Sequence, residues 1–378
     1  MATNGTSLRT ARARYTETGV RWGFIWALWC AVLWGAWYVP GTALFYEEPF
    51  ASAGGTTAGA LKVAAAITTL NAIFVLLAMF VWMAVLGKVR DYGRTIRQAQ
   101  NVSSWLFAAA VFGGPIAIYG TYLAISYIGA AFGAVAALLY PIVGALLARV
   151  WYHERITRRA ALGIIVVVVG GVIIFTPGLW DQITNPADES GVWLGYLGGV
   201  MAFVGWGIEG AIAGRALDVT DPDVALPIRF TAENVYWLVA IIPIASIFVG
   251  GDLYSLMWDG ITSGVVLLWL TLAGLTFGFC YVSWYKAFPL IGVGRGQAFA
   301  DLYGFFALVW LTIFTLAAPP WEFWVGGLIC IVGGFIMYTE RRDVLEVIRA
   351  VPGGHEDEGP IADVHGGAGD LTGVGRRS

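Results

Sequence analysis

The chain has 378 residues, 58% hydrophobic and 12% charged, whereas soluble domains are about a quarter charged. With a mean hydropathy of +0.72, this composition excludes an ordinary soluble domain and identifies a polytopic membrane protein. The formal charge of −3 implies no nucleic-acid partner, and orientation depends on where Lys and Arg sit rather than on their sum.

A crossing needs roughly 20 apolar residues, so about ten helices are the count to test. A polar arm, residues 1–21, carries Arg9, Arg12 and Arg14. The first apolar run, 22–46, is too long and Trp-rich for a cleavable signal, and reads as a retained spanning helix. Further runs follow at 57–86, 104–125, 128–151, 160–175, 192–213, 224–249, 261–288, 292–316 and 321–338. A Gly-, Asp- and Pro-rich tail, 340–378, reads as mostly disordered.

Loops with Lys88, Arg90, Arg94 and Arg97, then Arg155, Arg158 and Arg159, then Lys286, then Arg341 and Arg342, fall on the side of the basic N-terminus. The opposite side carries Glu47, Glu48, Asp181, Asp188, Glu189, Asp252, Asp259 and Glu322. By the positive-inside bias, both termini are cytoplasmic in a multi-pass cell-membrane protein. An acidic loop with Asp218, Asp221 and Asp223 also falls on the inner side.

Cys30, Cys280 and Cys330 lie in apolar runs without CxxC spacing and read as packing residues. No HExxH, GxSxG or Walker pattern occurs, so neither an enzyme nor a cofactor is expected. His153 and Glu154 are adjacent and point apart on a helix, which removes them as a metal pair.

The sequence repeats. Aligning Ile128-Gly129 with Ile291-Gly292 gives an offset of 163 residues (291 − 128), which also matches Tyr122 with Tyr285, Tyr140 with Tyr303, Gly163 with Gly326 and Gly170-Gly171 with Gly333-Gly334. Trp34-Gly35 and Trp206-Gly207 extend the repeat to the first helix of each half. Five crossings is an odd number, so the halves, 22–176 and 192–339 joined by an extracytoplasmic loop 177–191, enter from opposite faces.

Tyr140-Pro141, Glu154-Arg155, Gly163 and Gly170-Gly171 resemble the EamA-type domain of the drug/metabolite transporter superfamily. The second half has Gly304 and Ala317 where Pro141 and Glu154 stand in the first. The resemblance implies an all-α integral membrane fold of ten transmembrane helices, two inverted five-helix repeats around a central cavity. Its partners are then a small-molecule substrate and the lipid bilayer, with monomer or homodimer undecided.

An ionisable group inside a span is costly and faces a cavity or a partner. Asp301 falls about 13 Å into the ninth helix at 1.5 Å per residue, and its counterpart is Leu138. Glu209 shares a face with Gly195, Gly198, Ala202 and Gly205; without a nearby cation it would hold a proton. Arg229 and Glu233 are spaced to pair. Arg295, Lys286 and Lys62 sit near helix ends and can snorkel. Trp34, Trp37, Tyr119, Tyr122, Tyr140, Trp206, Tyr281, Trp284, Tyr285 and Tyr303 lie deeper than interface belts require. Beside Asp301 or Glu209 they would suit an amine or aromatic solute.

Together with the resemblance, these residues point to a secondary active transporter moving a small organic metabolite or an amine-like or aromatic solute across the cytoplasmic membrane by alternating access, driven by protons if coupled. A carrier of phosphorylated anions would use Lys286 and Arg295. A receptor or assembly subunit would depend on the tail.

Overall fold

In hydrocarbon every backbone polar group must be satisfied within the chain, which leaves long apolar stretches only the helix. The computed structural model, describing residues 4–153, 156–184, 192–249, 253–316 and 320–339, contains no strand among them. Its long helices are α1 (Asn4–Ala43), α2 (Thr57–Val85), α3 (Gln100–Gly129), α4 (Gly133–Tyr152), α5 (Arg158–Thr184), α6 (Val192–Leu217), α7 (Pro222–Phe248), α8 (Gly264–Ile291), α9 (Val293–Phe314) and α10 (Trp321–Tyr338). Among the described residues nine helices are long and apolar enough to cross a membrane; α5 is not one of the nine. Glu154, Arg155, Asp188, Glu189, Asp252, Ala317, Arg341, Arg342 and the tail lie outside the described residues.

Two boundaries differ from expectation. The arm is not separate from the first crossing, because α1 runs from Asn4 through Ala43 without interruption. The fifth helix continues past residue 176 to Thr184, shortening the expected loop 177–191.

The helix ends follow local chemistry. Thr56 caps α2 by accepting from Gly59 N at 3.0 Å, and Asp221 caps α7 by accepting from Asp223 N at 2.9 Å, with Pro222 in the first turn. Both α3 and α7 contain a widened, π-type turn, Phe112–Ile118 around Pro115 and Tyr236–Ile241. Such turns interrupt the regular ladder and are frequent at functional sites.

Several features recur at the offset of 163. Gly129 and Gly292 have φ of 81° and 83°, with ψ of 159° and 162°. His153 and Leu316 are left-handed, with φ of 54° and 53°. Contacts recur reciprocally as well. Tyr140 donates to the Gln297 carbonyl and Tyr303 to the Ala134 carbonyl, both at 2.8 Å. In the α5–α10 contact, a Cβ on Gly170 would meet Cys330 N at 2.7 Å, and one on Gly333 would meet Val167 N at 2.8 Å. These small residues let the backbones approach, the usual basis of close packing in membranes. α1 packs on α8 and α9 while α6 packs on α3 and α4. Gly35 fits against Phe306 and Ala307, and Gly207 against Val143.

Candidate functional site

Trp34 of α1 and Trp206 of α6 meet edge to face at 4.8 Å between ring centroids. Trp34 stacks on Tyr303 at 4.6 Å, contacts Tyr140 at 5.5 Å and faces Trp284 at 6.4 Å. Tyr38, one turn beyond Trp34, lies parallel to Tyr303 at 5.8 Å. All six rings are at most 3% exposed, so aromatic rings fill the centre of the bundle. Edge-to-face and offset pairs of this kind contribute about 0.5–1.5 kcal/mol each beyond burial. The indole N–H of Trp34 has no hydrogen-bond partner there among the described residues.

Asp301 sits where α9 breaks between Ala300 and Tyr303. It is 1% exposed, and neither carboxylate oxygen has a hydrogen-bond partner among the described residues. Tyr38, Tyr140 and Tyr303 are within its electrostatic reach. A lone carboxylate cannot remain charged in such surroundings without a cation; it is either neutral or the seat of a positive ligand.

A second polar cluster lies on the other side of Trp206. Arg229 Nε donates to Glu209 Oε1 at 2.8 Å, and Arg229 Nη1 pairs with Glu233 Oε2. Tyr281 donates to Glu209 Oε2 at 2.8 Å and Tyr285 to Oε1 at 3.3 Å. The guanidinium also lies 4.2 Å from the Phe230 ring centroid and 4.9 Å from that of Tyr281. All three ionic residues are fully buried. Space for them comes from the widened turn of α3: a Cβ on Gly113 would overlap Arg229 and Glu209, and one on Gly114 would lie 2.5 Å from Glu233 Oε1. Trp206 Nε1 donates to the Tyr281 hydroxyl at 3.1 Å, linking this cluster to the aromatic centre.

At one end of the bundle Asp223 gathers two lysines. Lys88 lies 2.7 Å from Asp223 and 2.6 Å from Asp221, and Lys286 lies 2.9 Å from Asp223. Trp82 donates to Asp223 at 3.0 Å, and Lys286 stands over the Trp26 ring at 5.0 Å. Burial opposes the charge on Lys88, but Asp221 and Asp223 outweigh it and hold its pKa above the usual 10.5. One hollow of about 410 Å³ lies at this end beside Asn101, Arg215 and Val219; another of about 300 Å³ lies at the opposite end beside Thr42, Tyr46 and Phe50.

The structure thus divides the sequence-derived residues among several places. Asp301, Trp34, Tyr140, Trp206, Trp284 and Tyr303 form the centre; Glu209, Arg229, Glu233, Tyr281 and Tyr285 form the ionic cluster. Glu209 has the nearby cation that the sequence did not reveal. Trp37 bonds Asn71 at 3.2 Å, faces Tyr122 at 5.5 Å and meets the central Tyr38 edge to face at 5.3 Å. Tyr119 packs on Trp237 at 5.6 Å. Arg295 and Lys62 are partly exposed near helix ends. Lys286 does not snorkel freely, because Asp223 holds it.

Sequence reasoning missed Tyr38 and Gln297. The buried Gln297 donates to the Trp206 carbonyl at 3.2 Å, and side chains on Gly144 or Gly210 would overlap it. The signal available was a polar residue where the other half has Ala134.

No family model matches this sequence, and no curated protein matches it. A solved crystal structure described only as that of a protein superimposes on it with a TM-score of 0.60, covering 83% of this chain and 95% of the other at 14% identity. At that identity the likeness speaks to the fold alone.

Proposed function

We propose that the chain is a secondary active transporter of small organic amines or aromatic solutes, built from two inverted five-helix repeats with α5 as the tenth crossing. The matched dihedrals and reciprocal contacts at the offset of 163 support the repeat. Inverted halves can exchange conformations, giving inward-open and outward-open states from one architecture. The arrangement described is then the closed form, and the resemblance to EamA-type carriers of the drug/metabolite transporter superfamily supplies the family. In this reading both termini and the Asp223 network face the cytoplasm.

The observation that carries the substrate class is Asp301, a buried carboxylate without a hydrogen-bond partner among rings that favour cations. An ammonium group entering between Trp34, Tyr38 and Tyr303 would neutralise it. Phosphorylated substrates are a weaker fit, because Lys286 is already engaged with Asp223.

Uptake into proteoliposomes tests this. Aromatic amines should compete for flux, phosphorylated solutes should not, and Asp301→Asn should abolish flux in folded protein. Unchanged flux in Asp301→Asn would remove Asp301 from the substrate path.

A further inference from the structure

Two carboxylates and one guanidinium make Glu209, Arg229 and Glu233 net negative by one charge if all are ionised. They are fully buried, where an uncompensated charge is strongly disfavoured. Their hydrogen bonds divide them. Glu209 has both oxygens satisfied, by Arg229 and Tyr285 on one and Tyr281 on the other. Glu233 uses Oε2 for Arg229 and leaves Oε1 with no partner. When the environments of two carboxyls differ in this way, the satisfied one keeps its charge and the other takes the proton.

From this geometry we infer that Glu233 is a proton-binding site and that its proton drives the transport cycle. A proton from water forms the O–H bond on Glu233 Oε1 on one side of the membrane. That bond breaks when the site faces the other side, and nothing is oxidised or reduced. The titratable and charged groups that reach Glu233 are Arg229 on its own helix, Glu209 on α6, and Tyr281 and Tyr285 on α8, and the Gly113-Gly114 turn of α3 packs against it. Near it on α7, Asn234 donates to the Ala72 carbonyl of α2 at 3.0 Å, and Thr231 bonds Tyr92 of the short helix Val89–Gln98 at 2.9 Å.

A route to the solute is present. Glu209 is held by Tyr281, Tyr281 by Trp206, and Trp206 touches Trp34 and Tyr140. The widened turns of α3 and α7 flank the cluster, and they give it places to rearrange when the charge changes. The coupling rests on the transporter reading; the proton's seat does not.

The test separates the two. Purified Asp301→Asn protein lacks the other carboxyl that is buried and unpartnered among the described residues, and its infrared spectrum should keep the carbonyl stretch of a protonated acid. Adding Glu233→Gln should remove that band. Adding Glu233→Asp should move its frequency, and adding Glu209→Asp should leave it in place. No band, a band surviving Glu233→Gln, or one that moves with Glu209→Asp overturns the assignment. Glu233→Gln leaves Arg229 neutralised by Glu209, which favours folding, and Glu233→Asp gives a second reading from a carboxyl of the same charge. In proteoliposomes with a pH gradient, wild type should accumulate amine above the external concentration, and Glu233→Gln should bring the ratio to one. A ratio unchanged by Glu233→Gln overturns the coupling, whereas wild type moving no amine at all would overturn the transporter reading and leave the infrared result standing.

Discussion

A methyl group on Gly114 reports on whether the ionic cluster is fitted to the widened turn of α3. Replacing a helical Gly by Ala ordinarily stabilises by about 1 kcal/mol. Here the new Cβ would lie 2.5 Å from both Oε1 and Cγ of Glu233, so Glu233 must leave Arg229 to make room. Giving up the charge-assisted hydrogen bond to Arg229 costs about 1.5–3 kcal/mol and overpacking about 1–3 kcal/mol, so Gly114→Ala should destabilise by about 1.5–5 kcal/mol net of the helix gain. Gly93→Ala is the control, since nothing lies within 4 Å of that Cβ. Denaturation in mixed micelles measures both. In a Glu233→Ala background the clash is gone, so Gly114→Ala should cost much less there, a non-additivity that identifies the contact. Equal effects in both backgrounds, or a Gly114→Ala protein as stable as Gly93→Ala, would mean that Glu233 does not fill the widened turn.

Two other outcomes follow from the same geometry. Lys88 has its folded pKa raised above 10.5 by Asp221 and Asp223, so its contribution to stability is fully present below pH 10.5 and is lost as pH rises through the raised value; thermal melts across alkaline pH should show a loss of stability that Lys88→Gln reduces, and an identical slope in both proteins would contradict this. Gly170→Ala and Gly333→Ala push equivalent Cβ atoms onto equivalent backbone nitrogens, so each should destabilise by about 1–3 kcal/mol, to a similar extent in the same denaturation assay; a large effect in only one would argue against the reciprocal α5–α10 contact.

Much of this was legible in the sequence because helices in a bilayer write their length in apolar runs, and because the features that recur at the offset of 163 keep their register. The offset that aligns Ile128 with Ile291 also aligns the positive-φ pairs Gly129 with Gly292 and His153 with Leu316. Arg229 and Glu233 pair through helical spacing alone. What the sequence could not show was contact between helices. Glu209 and Arg229 are twenty residues apart (229 − 209) on different helices, and nothing in hydropathy reports which helix faces turn toward each other. The same holds for Asp223, which joins lysines from two distant segments and so turns Lys286 from a snorkelling residue into part of an ion-pair network. Gln297 escaped notice because its space is made by glycines on α4 and α6, remote in sequence. Asp301 stood out because its counterpart is Leu138, a difference in charge between otherwise equivalent positions.

In the proposed cycle the packed aromatic centre between two inverted halves opens to each side in turn. Spin labels at Ser52 and Trp258 report the separation of the halves at the Glu47 end, and labels at Arg94 and Val219 report it at the Lys88 end; pulsed-resonance distances are measured on purified protein in lipid with and without an aromatic amine. The amine should lengthen one pair of distances and shorten the other, with Asp301→Asn abolishing the response. Distances that stay fixed, or that change in the same direction at both ends, would contradict alternating access.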